Sequence, residues 1–312
     1  MRATILTGSG FVFRETDLPG CEGDKVLVRT LSCGICEGDV FAYKCAVNGS
    51  INEEMYPGHE GTGIVEKVGP LAGQFKKGDL VTVNGSNLGG NLSEYFMVDA
   101  EDIVKLPDTV NSSITHGEPV SCCVNGMRRS GINLRSRVAV LGCGYMGMVC
   151  LKLALLQGAR EVVAVDPIKW RIGLAKEFGA AKTYTPDEVD LKELGEFDVV
   201  IEASGVPQTL DRAIEIVKQH GKILVFGYHQ SEGGIRHINM QLLNFKAVDL
   251  VNAHSRRNNE KMDALAESVE LMSDGRLDVS KLVTPYPIED INIAMQDLVS
   301  RKEGLFKAAV VF

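Results

Sequence analysis

The hydrophobic pattern of this chain changes character once, near residue 135. Before that point it is Gly-rich and carries short β-type runs, among them residues 25–31, 62–68 and 80–84. Turn signals separate them at Leu18-Pro19-Gly20 and over residues 74–79 and 87–91. This pattern predicts an irregular, mostly antiparallel β domain. After residue 135, compact apolar runs alternate with helical periodicity. Strands are expected over 137–141, 161–165, 197–203 and 222–226, and helices over 145–157, 167–178 and 210–218. That alternation predicts right-handed βαβ units and a doubly wound parallel sheet. The chain closes with an amphipathic helix over 259–273, stopped by Gly275, a second helix over 288–300, and a strand over 307–312.

Composition narrows the function. With 45% hydrophobic and 24% charged residues, the 312-residue chain reads as globular and large enough for two domains. A formal net charge of −8 lacks the footprint of a nucleic-acid binder. Residues 1–20 show no basic segment followed by an apolar run, so no signal peptide is expected. No apolar run approaches the ~18 residues of a membrane span. The eight cysteines form no evenly spaced framework, which points to a reduced, cytoplasmic protein with thiols available as metal ligands.

The strand over 137–141 runs into Gly142-Cys143-Gly144-Tyr145-Met146-Gly147, a complete G-x-G-x-x-G that opens a helix. In that context the motif is a dinucleotide fingerprint. Gly142 permits the turn, Gly144 lets the backbone approach a pyrophosphate, and Gly147 lets helix and strand pack closely. The free N–H groups at the helix start face the anion. Asp166 ends the next strand, where an acid binds the adenosine ribose hydroxyls and repels a 2′-phosphate, so NAD is expected over NADP. Arg171 lies five residues on and could flank the adenosine. The plainer roles are a loop acid or helix cap for Asp166 and a solvated helix face for Arg171.

A metal is suggested by Cys36, His59, Glu60 and Glu118, the donor types of a catalytic zinc site with one open position. Each also has a bland role, a buried thiol or a surface acid. Cys33 and Cys36 form a C-x-x-C, but no second pair follows at structural-zinc spacing. Spacing alone leaves metal and non-metal roles equally open.

Gly58-His59-Glu60, followed by Gly63, Gly69 and Ala72, resembles the signature of medium-chain zinc-dependent alcohol dehydrogenases. Further matches are Gly78-Asp79-Leu80-Val81, Ser93-Glu94-Tyr95, Leu106-Pro107-Asp108, Glu118-Pro119-Val120-Ser121, the fingerprint, and residues 198–205. Glu118–Ser121 and Met127-Arg128-Arg129 are most similar to the sorbitol and polyol branch. The resemblance implies a GroES-like catalytic domain over 1–120, a Rossmann domain over 121–258, and a segment over 259–312 that returns to the catalytic domain. It also implies that Cys36 and His59 bind zinc, with Glu60 or Glu118 as the carboxylate ligand. By the same resemblance Asp39 orients the zinc-bound histidine, and Cys33 is structural.

Three departures from the family stand out. Residues 83–93 form a short Gly/Asn loop without the usual four cysteines, so one catalytic zinc and no structural zinc are expected. Gly38 replaces the Ser or Thr of the proton relay, and Phe41 replaces a relay histidine. Tyr43 and Glu37 are candidate substitutes, against plain packing or surface roles. The implied activity is hydride transfer between NAD and a secondary alcohol or ketone, such as a polyol, sugar derivative or cyclitol, by a homodimer or homotetramer. The alternatives are a zinc-free quinone or enone reductase and a non-catalytic NAD-binding protein.

Overall fold

The β-type runs of the first third become strands. β1 (Arg2–Thr7) and β2 (Gly10–Glu15) form an antiparallel pair. β3 (Lys25–Gly34) follows, then helix α1 (Glu37–Val47), β4 (Glu60–Val68), β5 (Leu80–Val83), β6 (Tyr95–Asp99), β7 (Ile103–Lys105) and helix α2 (Gly117–Met127). β3 pairs antiparallel with β4 and β6, β4 with β5, and β5 with β7. Val26, Val28, Val65, Val81, Phe96 and Val98 fill the core beneath them. β3 runs three residues beyond the expected end at 31, and it thereby places Gly34 opposite Glu60. The computed structural model describes residues 1–312 except 52, 86–89 and 230. The loop expected to lack a cysteine lobe therefore lies partly outside the described residues.

α1 is not foreseen by periodicity, because its apolar residues do not form one stripe. Its start is fixed by capping. Cys36 Sγ accepts a hydrogen bond from Gly38 N at 3.1 Å, and Asp39 Oδ2 accepts from Cys36 N at 3.0 Å. This is a capping box with sulfur in place of the usual hydroxyl, satisfying N–H groups the helix leaves unpaired.

The second texture folds with the expected strand–helix alternation and adds strands over 182–184 and 249–252 and a helix over 240–246. β8 (Arg137–Leu141), α3 (Tyr145–Leu156), β9 (Glu161–Val165), α4 (Lys169–Glu177), β10 (Lys182–Tyr184), β11 (Phe197–Glu202), α5 (Pro207–Ile216), β12 (Val217–Val225), α6 (Met240–Lys246) and β13 (Asp249–Asn252) follow in sequence. The strands form a parallel sheet in the order β10-β9-β8-β11-β12-β13. The direction of strand order switches between β8 and β11, as in dinucleotide-binding sheets. β8, β9 and β11 are buried nearly throughout, as strands covered on both faces must be. Phe197, Ile214, Ile216 and Ile223 anchor one face, each contributing roughly 1.5–3 kcal/mol by burial. The helix expected over 210–218 ends at Ile216, because buried Val217 instead pairs with Phe197 at the start of β12.

The chain ends with α7 (Asn258–Ser273), β14 (Val283–Pro287), α8 (Ile291–Val299) and β15 (Lys307–Val311). β15 runs parallel to β14 and antiparallel to β3, with Val310 opposite Cys33. Ile291, Ala294 and Met295 of α8 share a core with Val40 and Ala46 of α1. The chain thus divides into one unit of Met1–Ser121 with Arg257–Phe312, and another of Cys122–Arg256. No helix among the described residues is long and apolar enough to cross a membrane.

Candidate metal and dinucleotide sites

Three elements of the first unit converge on one point. Cys36 caps α1, and His59 immediately precedes β4. Glu60 opens β4 opposite Gly34 of β3. One ligand atom from each of Cys36, His59 and Glu60 lies within 4.8 Å of the other two. Glu60 is 2% exposed. Its Oε1 accepts a hydrogen bond from Lys307 Nζ at 2.8 Å. Its Oε2 lies 2.6 Å from the same ammonium. A thiol, an imidazole and a buried carboxylate are a donor set suited to zinc.

Lys307, the first residue of β15, was not foreseen. It is buried and also donates to Ile35 O at 3.1 Å. Burial opposes its charge, but the Glu60 carboxylate outweighs burial and holds its pKa above the ordinary lysine value. Gly34 makes room for the pair. A Cβ there would stand 2.1 Å from Glu60 Oε2 and 2.9 Å from Lys307 Cε. The sequence signal was a single lysine opening an otherwise apolar C-terminal run.

Burial, together with the charges of Asp39 and Glu60, pushes the Cys36 thiol far above its ordinary range. Without a cation the sulfur therefore stays protonated, and a metal would have to displace the proton. Cys33 is fully buried in the core beside Val310, consistent with a packing role. Asp39 is buried, and its carboxylate joins the two ligand loops. Oδ2 takes Cys36 N, while Oδ1 takes Gly58 N at 3.3 Å. Asp39 thus holds the backbone beside both candidate ligands, Cys36 and His59. Tyr43 stacks on Phe11 with ring centroids 5.9 Å apart, and Glu37 is exposed. Glu118 is half-buried on the first turn of α2, outside the three-residue group.

His116, also unforeseen, is fully buried. Ser32 Oγ donates to Ser112 O, so it accepts from His116 Nε2 at 3.0 Å. That leaves Nδ1 as a buried acceptor with no partner. Burial pushes its pKa down to about 4.

In the second unit the fingerprint has its expected geometry. Gly142 has φ +98°, and a Cβ there would meet Ser204 N at 2.8 Å. At Gly147 a Cβ would fall 1.8 Å from Gly142 O, whereas at Gly144 it would meet only Arg171 Nη1, at 4.0 Å. The side of Gly144 is therefore open, and Gly144 caps α3 without a side-chain acceptor. That leaves room and donors for a phosphate, with Tyr145 and Met146 in the helix's first turn. Asp166 is buried. Its Oδ2 accepts from Cys143 N and its Oδ1 from Ile168 N, both at 2.8 Å. Arg171 Nη1 lies 3.8 Å from Asp166 Oδ2.

Two family descriptions match the chain. The alcohol dehydrogenase GroES-like domain covers residues 22–108, and the zinc-binding dehydrogenase domain covers 146–272. Sorbitol dehydrogenase of Homo sapiens is 30% identical over 244 residues, covering 65% of this chain and 68% of that protein. Sorbitol dehydrogenase of Rattus norvegicus is 29% identical, covering 96% and 92%. D-xylulose reductase A of Aspergillus niger is 28% identical, covering 89% and 87%. The fold matches that of 2R,3R-butanediol dehydrogenase from Bacillus subtilis with a TM-score of 0.86 at 24% identity, covering 100% of this chain and 99% of that one. With both domain families matched in order and sorbitol dehydrogenases among its relatives, the chain belongs to the medium-chain zinc-dependent alcohol dehydrogenase family, in its polyol branch.

Proposed function

We propose that this oxidoreductase uses one zinc ion per chain and NAD to interconvert a secondary alcohol and its ketone. The observation that carries this is the convergence of Cys36, His59 and the buried carboxylate of Glu60. Zinc held there would act as a Lewis acid on the substrate oxygen, and NAD would accept the hydride. Cys36, His59 and Glu60 hold the ion, with Glu118 the alternative carboxylate. Asp39 fixes the backbone on either side of the site, and Lys307 balances the Glu60 charge. Gly38 and Phe41 offer no relay hydroxyl or imidazole, and the packing of Tyr43 against Phe11 disfavours it as the substitute. Converging metal donors favour this reading over a zinc-free quinone or enone reductase.

NAD is proposed over NADP because buried Asp166 sits at the fingerprint. Each of its oxygens keeps a second lone pair for a ribose hydroxyl, and its charge repels a 2′-phosphate. Gly142, Gly144, Tyr145, Met146, Gly147 and Arg171 complete the proposed cofactor contacts. The substrate is proposed to carry neighbouring hydroxyls, as a polyol, sugar derivative or cyclitol. The named activities of the relatives support that class, and Glu118, whose charge reaches the Lys307 paired with Glu60, offers a further acceptor. A homo-oligomer is proposed on the strength of the open edge strand β13, where Leu250 is exposed, and of α6, where Phe245 is 78% exposed. The eight cysteines fit a reducing compartment, and we propose the cytoplasm.

The test is metal analysis followed by NADH absorbance with sorbitol, xylitol, inositols and simple alcohols. About one zinc per chain and a preference for polyols are expected. Zinc binding without turnover of any alcohol would favour the non-catalytic alternative, and a preference for ethanol or benzyl alcohol would remove the polyol assignment.

A further inference from the structure

β11 ends in a carboxylate that the activity above does not use. Glu202 is 0% exposed. Its Oε1 accepts from Ser204 N at 2.9 Å, Ser204 Oγ at 2.6 Å and Gly205 N at 3.0 Å. Its Oε2 faces His229 Nε2 at 2.9 Å, and Arg236 Nε donates to His229 Nδ1 at 2.8 Å. A guanidinium can only donate, so Nδ1 must be the acceptor and the ring proton sits on Nε2. The imidazole is therefore neutral. It links a buried carboxylate to a cation in one fixed tautomer.

This chain of contacts ties together the turns after β11 and β12. A Cβ at Gly227 would stand 2.3 Å from Gly205 N and 2.5 Å from Glu202 Oε2, so the two turns touch. The β11 turn in turn packs on the fingerprint, with Ser204 N beside Gly142. In a doubly wound sheet the ligand crevice lies outside the carboxyl ends of the strands where their order switches, which here is between β8 and β11. The adenosine half belongs on the β8–β9 side, with Asp166. The other mononucleotide half then lies over the turns that Glu202 and His229 hold.

We propose that Glu202 and His229 are positioning residues for the nicotinamide half of the dinucleotide, an inference that rests on the NAD reading above. Glu202→Gln is the informative substitution. Its amide oxygen can still accept from Ser204 and Gly205, but an NH₂ now faces His229. The ring must shift its proton to Nδ1, which then opposes Arg236 Nε–H. Glu202→Gln and His229→Ala should therefore produce the same defect.

The experiment measures dissociation constants for NADH by fluorescence and for AMP by calorimetry, on the intact protein. Each variant should bind NADH about tenfold more weakly, the net worth of a hydrogen bond to a charged group, while AMP affinity stays within about twofold. The double variant should be no weaker than either single one, because both break one linkage. Equal losses for NADH and AMP, or additive losses in the double variant, would overturn the proposal by showing general damage to the fold. If the unsubstituted protein bound neither nucleotide, the NAD reading itself would fail. Should Glu202→Gln not fold, His229→Ala alone carries the NADH-against-AMP comparison.

Discussion

Replacing Lys307 with Met tests whether the carboxylate of Glu60 belongs to the metal site. Met has nearly the length of Lys and can lie along the same buried path, but it removes the ammonium. Glu60 then loses its hydrogen bond to Oε1, and Ile35 O loses its donor. Breaking one side of a buried ion pair costs about 3–5 kcal/mol, because the remaining charge is uncompensated. The zinc-free variant should be destabilised by about that amount. Zinc supplies the missing positive charge. If the Glu60 carboxylate faces the ion, as its grouping with Cys36 and His59 within 4.8 Å supports, zinc should recover part of the loss.

Zinc affinity should therefore rise about tenfold in Lys307→Met, while zinc-free stability falls. A tenfold gain in native-state affinity returns about 1.4 kcal/mol of stability at saturating zinc. The assay is chemical denaturation with and without zinc, together with a competitive chelator titration of zinc affinity. If Lys307 merely supported the sheet, stability would fall equally with and without zinc and affinity would drop. Either result would refute the argument that the lysine and the metal share one carboxylate.

Other consequences are more compact. Cys36→Ala should abolish zinc binding, whereas Cys33→Ala should retain it; metal analysis of both variants would expose a wrong choice of cysteine. Gly38→Ala should fail to give the ~1 kcal/mol that Ala normally adds over Gly in a helix, because its Cβ would press on Cys36 Sγ at 3.1 Å; a full gain on thermal melting would contradict that contact. Asp166→Ser should weaken NADH binding and narrow the preference over NADPH, read by fluorescence titration with both nucleotides; equal binding of both by the unsubstituted protein would remove the assignment. His116 is held neutral, with its pKa lowered from 6.5 to about 4, so the unfolded chain binds the extra proton. Its contribution is complete above pH 6.5 and falls as pH drops towards 4. Urea unfolding should lose about 2 kcal/mol between pH 7.5 and 5 from this group, a loss that His116→Gln should abolish.

What could be read from the sequence follows from range. The fingerprint and Asp166 lie within one βαβ unit, so local spacing carried their geometry. The strands around them are buried on both faces and announce themselves as apolar runs. Cys36, His59 and Glu60 were found because each sits in a short motif, although no spacing rule relates the first to the other two. α1 escaped because its start depends on a sulfur cap and its packing on α8, a helix about 250 residues later in the chain. The lysine at the back of the site was invisible for the same reason. Lys307 is 247 residues from Glu60, and only the pairing of β15 with β3 brings them together. The assignment of Asp39 shows the opposite limit. Its presence near the ligands was legible, but its contacts were not, since a carboxylate can hold a ring or the backbone beside it. The structure shows it holding the backbone at Cys36 and Gly58 at once. One buried acid thereby fixes the spacing between two candidate ligands on separate elements, and the third candidate is fixed from the C-terminal strand. The geometry of the proposed metal site therefore depends on β15 staying paired with β3 as much as on the candidate ligands themselves.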